Sequence, residues 1–203
     1  MTPGQHFIIS WVVANSAELD RRSRICITAS GLLPDFDGIG LIVDKLSPYF
    51  GIHTSFYAQY HHVLGHNLLL GLLVSIGLAS LCRQKYCVFA LCLLAFHLHI
   101  VCDLAGSMGP DGYHWPIYYL YPFVPSYQLI WSGQWPLNSW INSLIGILFF
   151  SLAILQARHR RVTFFELISN RLDNIVIAIG THRGFFKSPN DTQNTGDSPR
   201  LQI

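Results

Sequence analysis

One apolar run, and the polar pair at its end, constrain this chain more than any other feature. Residues 86–102 contain no Lys, Arg, Asp or Glu, and the run holds His99 and is followed directly by Asp103. On a helix, residues four apart project from one face, so these two side chains can reach a single metal ion. Left without partners in such apolar surroundings, both would be costly to bury. The alternative is that His99 and Asp103 hydrogen-bond each other and a neighbouring helix.

The composition favours a membrane protein. Hydrophobic residues make up 51% of the 203 residues and charged residues 12%, about half the charged share of a typical soluble domain. Membrane lipids are therefore expected partners. The formal net charge of +2 is too small and too dispersed to predict a nucleic-acid partner. The five cysteines lie in apolar runs without a Cys-x-x-Cys pair, so they indicate neither a disulfide framework nor a thiolate metal site.

Two consecutive apolar segments predict a helical hairpin. Residues 61–82 have three histidines among their first six residues, His61, His62 and His66, and continue as an uncharged, mostly apolar run. Residues 83–85 form a short polar turn. The run 86–102 then returns in the opposite direction. This connectivity places the histidines of the first arm at the same end as His99 and Asp103.

Other segments complete a predicted all-α membrane bundle of short and long apolar helices. An apolar helix is predicted over residues 5–18, and residues 138–157 are the best membrane-spanning candidate. Residues 106–135 are rich in Gly, Pro and aromatic side chains, which is typical of an interfacial loop. Asp35 and Asp37 are expected on a loop, because a proline stands beside them at position 34.

The C-terminal part predicts a separate amphipathic helix. Thr163 and Glu166 have the spacing of a capping box, apolar residues recur on one stripe, and Gly180 is placed to end the helix. This helix is expected to lie on the membrane or on the bundle. The predicted division is a membrane-embedded domain at 1–157, a basic stop with the amphipathic helix at 158–186, and a disordered tail at 187–203.

The basic clusters predict an orientation in the membrane. The arginines of residues 21–24, the turn at 83–85 and the basic residues 158–161 fit the cytoplasmic side of the inner membrane, with the C-terminus also cytoplasmic. All the candidate polar side chains then fall at the opposite end of the bundle: His6, Asp35, Asp37, His61, His66, His99 and Asp103. Carboxylate and imidazole groups without cysteine suit zinc or another divalent first-row metal.

Four short motifs give the chain a resemblance to a known family. His6, LLPDFD, HHVLGH and HLHIVCD occur in the order found in the YdjM-like family of inner-membrane-associated metal-dependent hydrolases. The central motif of that family is similar to His-Arg-Gly-x-Thr-His-Ser, and His61 and His66 take its two histidine positions. This sequence departs from it by having His62, Val63, Gly65 and Asn67 where Arg, Gly, Thr and Ser are usual.

More distantly, the pattern is similar to the zinc-dependent phospholipase C and single-strand nuclease superfamily, an all-helical fold with a cluster of zinc ions. That resemblance implies a first ion held by four side chains: Asp35, His61 or His66, His99 and Asp103. It implies a second ion held in part by His6 and Asp103. The His-x-x-x-Glu helix that completes a third site in that superfamily does not occur in the later part of this chain.

These observations predict a membrane-bound metal-dependent hydrolase. The substrate would be an ester or phosphoester, either a small molecule or a lipid, with zinc as the expected metal. Asp37 is the candidate general base or orienting residue, and His61 is a candidate both for catalysis and for metal binding. The alternative is a non-catalytic membrane protein in which the His/Asp cluster binds a structural metal or braces helices. Metal-ion transport is disfavoured because few polar residues continue through the bundle beyond the histidines.

Overall fold

The computed structural model describes residues 1–186, and its regular structure is helical. The all-α prediction is confirmed: α-helices alternate with short 3₁₀ helices, and no strand forms within the described residues. In chain order the α-helices are α1 (Pro3–Ala14), α2 (Arg21–Ser30), α3 (Gly40–Leu46), α4 (Phe56–Tyr60), α5 (Leu68–Ser80), α6 (Lys85–Gly106), α7 (Trp140–Arg160) and α8 (Asn170–His182). The 3₁₀ helices are Leu33–Ile39, Ser47–Phe50 and Phe164–Leu167. Residues 187–203, expected to form a disordered tail, lie outside the described part.

Helix α6 is the centre of the bundle and packs against α5, α1 and α2. The apolar core where these helices meet includes Val13, Ile27, Ala79, Val88 and Cys92. All five cysteines of the chain are free thiols.

Gly31, just after α2, lets three of these helices approach closely. A Cβ atom at this position would lie 1.9 Å from Oγ of Ser10 and 3.2 Å from the carbonyl oxygen of Ala95. Only glycine fits there, and its absent side chain brings the end of α2 against the middle of α6.

Helices that could span a membrane are present. Helices α6 and α7 are long and apolar enough to do so. Helix α2 and the segment Leu33–Phe50 pass the same test as a pair, bent by 51° at the break between them. Helix α5 is apolar but shorter.

The predicted hairpin is confirmed, but its first arm begins later than expected. Helices α5 and α6 pack side by side. Helix α5 starts at Leu68 because the side chain of Asn67 accepts a hydrogen bond from the Leu70 amide at 2.8 Å and caps the helix. The histidines at 61–66 therefore lie in turns before the helix and not on its first turn.

The expected loop around Asp35 and Asp37 is a 3₁₀ helix, Leu33–Ile39. Pro34 occupies its first turn, where the missing amide hydrogen costs nothing. The proline thus starts a helix here and does not prevent one.

The C-terminal helix also differs from the prediction. Thr163 precedes the short 3₁₀ helix Phe164–Leu167, and α8 starts only at Asn170, capped by the Ser169 side chain. Gly180 lies inside α8, where an added Cβ would come within 2.6 Å of the Phe186 ring. The left-handed glycine that follows the helix is Gly184, with φ of +73°.

The chain divides into two compact units. The first is Met1–Phe150, and the second begins at Ser151, within α7. The finer division into 1–157 and 158–186 stays a prediction. Every residue of the candidate site belongs to the first unit.

Candidate metal centre

Helix α6 supplies a buried pair to the centre. Nε2 of His99 lies 3.0 Å from Oδ2 of Asp103, one turn away. Nδ1 of His99 donates a hydrogen bond to the carbonyl oxygen of Gly31 at 2.7 Å. Because a carbonyl oxygen only accepts, this contact places a proton on Nδ1, so Nε2 is the nitrogen through which His99 would bind a cation.

His66, in the turn before α5, meets this pair from the facing arm of the hairpin. Its Nε2 lies 3.2 Å from Nε2 of His99 and 3.3 Å from Oδ2 of Asp103. Its Nδ1 lies 3.2 Å from Oδ2 of Asp37. His66 thus has the same arrangement as His99, with one nitrogen held by an oxygen acceptor and the other directed at the centre.

Asp35 completes a group of four candidate ligands. Its Oδ1 lies 3.5 Å from Nε2 of His99, and its buried Oδ2 has no hydrogen-bond partner among the described residues. One ligand atom from each of the four lies within 4.8 Å of every other. The group consists of Asp35, His66, His99 and Asp103.

The spacing of these atoms fits a small four-coordinate cation. Ligand atoms about 2.0–2.1 Å from a tetrahedral zinc ion lie roughly 3.3 Å from one another. Four of the six pairs among His66, His99, Asp103 and Asp35 are 3.0 to 3.5 Å apart, and all six lie within 4.8 Å. The structure therefore contains a His/Asp cluster that could hold a metal ion.

The raised pKa of His66 is consistent with a site at which a proton and a metal cation compete for the same ring nitrogen. Burial lowers the pKa of His66, but its hydrogen bonds to Asp103 and Asp37 outweigh burial, and the net pKa lies above the ordinary value. Each ring nitrogen of His66 faces one carboxylate, Nε2 that of Asp103 and Nδ1 that of Asp37. Since a histidine ligand binds metal in its neutral form, a cation here would replace that proton.

The second carboxylate oxygen of Asp103 faces the N-terminal helix. Oδ1 lies 3.1 Å from Nε2 of His6 and also accepts a hydrogen bond from the amino group of Met1. The His6 ring stacks on His99, with centroids 3.6 Å apart. His6 thus borders the four-residue group and contacts both Asp103 and His99 without being one of its members.

Asp37 lies behind the centre and holds the turn that carries the histidines. Its Oδ1 accepts from Nδ1 of His61 at 2.8 Å, and its Oδ2 accepts from the backbone amides of His62 at 3.1 Å and Gly65 at 2.8 Å. Together with the contact to His66, these bonds engage both oxygens. They are the contacts of an orienting residue, whereas the prediction had left open a general-base role.

Gly65 makes this close approach possible. A Cβ atom there would lie 2.0 Å from the carbonyl oxygen of Pro34 and 2.8 Å from Oδ2 of Asp37. A side chain at this position would push the histidine turn away from the 3₁₀ helix that carries Asp35. Sequence reasoning had treated Gly65 only as a departure from a family motif.

His61 lies outside the four-residue group. It is held by Asp37 and stacks on Tyr57, with centroids 4.4 Å apart. Of its two predicted roles, metal ligand or catalytic residue, its position beside the group favours the second.

Sequence reasoning missed His62. It is 2% exposed, and its Nε2 lies 4.0 Å from Oδ2 of Asp103. Its φ of +66° is left-handed, a conformation costly for a residue with a side chain. Its Nδ1 has no hydrogen-bond partner in the described part of the chain, and burial lowers its pKa well below the ordinary value. The adjacent histidines at 61 and 62 were a signal, but sequence alone does not show which of them turns inward.

A cavity of about 180 Å³ adjoins the cluster. Asp35 and Asp103 line it together with Tyr57, His61 and His62, whereas His66 and His99 do not. Residues 107–110 of the loop after α6, Trp115 and the amino-terminal Met1 form the remaining wall. The candidate ion position is therefore reachable from one side, past the two carboxylates.

Comparison with known proteins adds no relative. No protein-family model matches the chain, and neither a curated protein nor a solved structure matches it. The interpretation of the centre consequently depends on its own geometry.

Proposed function

We propose that this protein is a membrane-bound, metal-dependent hydrolase acting on an ester or phosphoester. The observation that carries the proposal is a cavity that reaches both carboxylates of a buried four-ligand cluster. A structural metal site is closed by its protein ligands, whereas a catalytic one keeps a position open for water or substrate. An accessible cluster supports the second arrangement.

The chemistry assigns separate tasks to the surrounding residues. Bound at the cluster, a divalent ion supplies a water whose pKa is lowered from 15.7 toward ~7, and it stabilises negative charge on the attacked centre. Asp37 fixes the rings of His61 and His66 through their Nδ1 atoms. His61 lines the cavity with its ring held in this way, so we assign it the transfer of a proton to or from the substrate.

We propose zinc as the metal and the cytoplasmic membrane as the location. Two imidazoles and two carboxylates without a thiolate suit zinc, although other first-row divalent ions accept the same donors. The order of the four motifs also supports membership of the YdjM-like family, and the basic clusters support a site that faces away from the cytoplasm.

A lipid-derived substrate is the finer part of the proposal. A second cavity, of about 320 Å³, has apolar walls that include Leu33, Phe36, Phe56 and Leu64, and Asp37 also lines it. Its mouth is bordered by exposed apolar side chains, Phe36 among them at 67% exposure. An apolar cavity of this size, lined in part by a carboxylate that contacts the cluster, fits an acyl chain.

The test is metal content together with hydrolysis. Purified protein would be analysed for bound metal by mass spectrometry and assayed with p-nitrophenyl butyrate and bis(p-nitrophenyl) phosphate, before and after chelation and zinc addition. We expect about one ion per chain and zinc-dependent hydrolysis in the native protein, and loss of both in Asp103→Ala.

His97→Ala is the matched control, because His97 lies on the same helix and contacts Tyr119 and the Leu93 carbonyl instead of the centre. It should retain the metal. Equally low metal in the native protein and in Asp103→Ala would remove the basis of the proposal. Tight metal binding without hydrolysis of either ester would instead favour the structural brace.

A further inference from the structure

Helix α8 carries an apolar stripe that its own unit leaves uncovered. Leu172, Ile175 and Ile179 follow one another at intervals of three and four residues, which places them on one face of α8, and Ile168 is a further apolar residue just before the helix. All four are exposed, Ile168 at 73% and Ile179 at 53%. Phe165, in the preceding 3₁₀ helix, is exposed as well.

The charged side chains of the same unit are segregated by sign. Its two acidic residues in the described part of the chain, Glu166 and Asp173, are both buried. Asp173 accepts hydrogen bonds from the amide and the hydroxyl of Thr163, at 2.8 and 2.6 Å. Among the described residues of the unit, the exposed charges are therefore positive and come from Arg158, Arg171 and Arg183, while Arg160 and Arg161 are partly buried.

Two of these arginines border the apolar stripe. Arg171 stands one residue before Leu172, and Arg183 stands four residues after Ile179, at the end of the same face. Both are exposed. An apolar stripe with a basic border, and with the acidic groups withdrawn from the surface, matches an anionic layer that has an apolar interior beneath it.

We propose that α8 binds the surface of a bilayer containing anionic phospholipids. The stripe enters the boundary between headgroups and acyl chains, and Arg171 and Arg183 contact lipid phosphates. Helix α7, which is apolar and long enough to cross a membrane, ends at Arg160, so the chain reaches α8 close to a membrane surface. This inference does not depend on the hydrolase proposal.

Other occupants of the stripe would not account for the charge pattern. A second copy of this chain would bring the same arginines toward each other, and like charges repel. Packing of α8 against an apolar protein surface would bury the stripe without any use for a basic border. Anionic headgroups are complementary to both features, and each basic side chain near such a surface strengthens binding about fivefold.

Hydrogen–deuterium exchange of the full chain in nanodiscs tests the proposal. Peptides from residues 164–183 would be followed in discs of phosphatidylcholine alone and of phosphatidylcholine mixed with phosphatidylglycerol. We expect slower exchange in the mixed discs. The double variant Arg171→Gln, Arg183→Gln should lose most of that difference. Each lost arginine should weaken binding of the helix to the anionic surface about fivefold at low salt.

Asn174→Gln is the matched control. Asn174 is exposed and lies on the opposite side of the helix from the stripe, so the effect of lipid composition should persist in this variant. Equal exchange rates in the two kinds of disc would overturn the proposal. Protection that grows with the number of chains per disc would show that a second copy covers the stripe. Equal protection in detergent micelles would show that another part of the same chain covers it. Either result would also overturn the proposal.

Discussion

Two buried carboxylates of the centre differ in what they face. Asp103 directs Oδ2 at Nε2 of both His66 and His99, the nitrogens available to a cation. Asp37 directs its oxygens at the opposite nitrogens, Nδ1 of His61 and His66. In metal sites this second layer fixes the ring orientation of the ligands, and its loss typically weakens metal binding about 10–100-fold. Asp103 is accordingly a candidate ligand, and Asp37 a residue that positions ligands.

Replacing Asp37 with Asn should weaken metal binding by about 10–100-fold without abolishing it, because the ligands remain but their orientation loosens. Competition with a chelator of known affinity would measure the change. Asp44→Asn is the matched control: Asp44 also accepts hydrogen bonds from a nearby segment, at Thr54, Phe56 and Tyr57, but it makes no contact with the cluster. An equal loss in both variants would indicate general loosening of the fold.

His66→Ala and His62→Ala should separate two neighbouring histidines. Nε2 of His66 lies among the candidate ligand atoms, whereas Nε2 of His62 is 4.0 Å from the nearest Asp103 oxygen. Removing His66 should cost more than the 10–100-fold expected for an orienting residue and should also lower stability, since buried polar partners lose their contacts. Removing His62 should change affinity less than about tenfold. Calorimetric zinc titration would measure both affinities. If His62→Ala lost the metal and His66→Ala kept it, His62 and not His66 would be the ligand.

At this scale, sequence spacing predicts some contacts and leaves others undecided. The interval of four between His99 and Asp103 brings them to one face of a helix, and the structure places them 3.0 Å apart. Nothing in the sequence indicates that His62 adopts a left-handed backbone and turns inward, because that conformation is set by hydrogen bonds from the turn to a distant Asp37.

The turn between α4 and α5 is the element that adds His66 to the candidate metal centre. It holds the histidines against the 3₁₀ helix Leu33–Ile39, and Gly65 is the point of closest approach. Gly65→Ala should therefore separate the two segments, lower stability by about 1–3 kcal/mol and weaken metal binding. Thermal denaturation and zinc titration in detergent would measure both effects.

Gly77→Ala provides the comparison, because a Cβ at Gly77, within α5, would meet nothing within 4 Å. It should leave metal affinity unchanged and raise stability by up to about 1 kcal/mol through helix propensity. If Gly65→Ala also left metal binding and melting temperature unchanged, the contact with Pro34 would not be a determinant of the site.

Element boundaries depend on contacts that a local pattern does not contain. Long apolar runs predict that α5, α6 and α7 exist, and contacts such as capping side chains then decide where helices begin. Gly180 illustrates the limit: as a helix-ending residue it fits its local sequence, yet it lies inside α8 against the Phe186 ring. Gly184 is the glycine that does follow the helix, but the local sequence does not mark it as a helix end more strongly than Gly180.

For the whole molecule, connectivity predicts more than local sequence does. A hairpin with polar side chains at its open end brings His66 to the same end as His99 and Asp103. The position of Asp35 beside His99 depends on the close crossing of α1, α2 and α6 at Gly31. No short sequence motif indicates this tertiary contact. The prediction of the membrane orientation rests on the basic clusters alone, and that orientation would decide to which side the cavity opens.

The basic clusters predict that residues 83–85 are cytoplasmic and that the loop over 106–135 faces the other side. Labelling with a membrane-impermeant maleimide would test this with Gln84→Cys and Asp111→Cys, both at exposed positions. In intact cells only Asp111→Cys should react, and Gln84→Cys should react only after the membrane is opened. The native protein is the control, because three of its five cysteines are buried and the other two are partly buried. The reverse pattern would mean that the protein has the opposite orientation in the membrane. The cavity beside Asp35 and Asp103 would then open toward the cytoplasm and take its substrate from there.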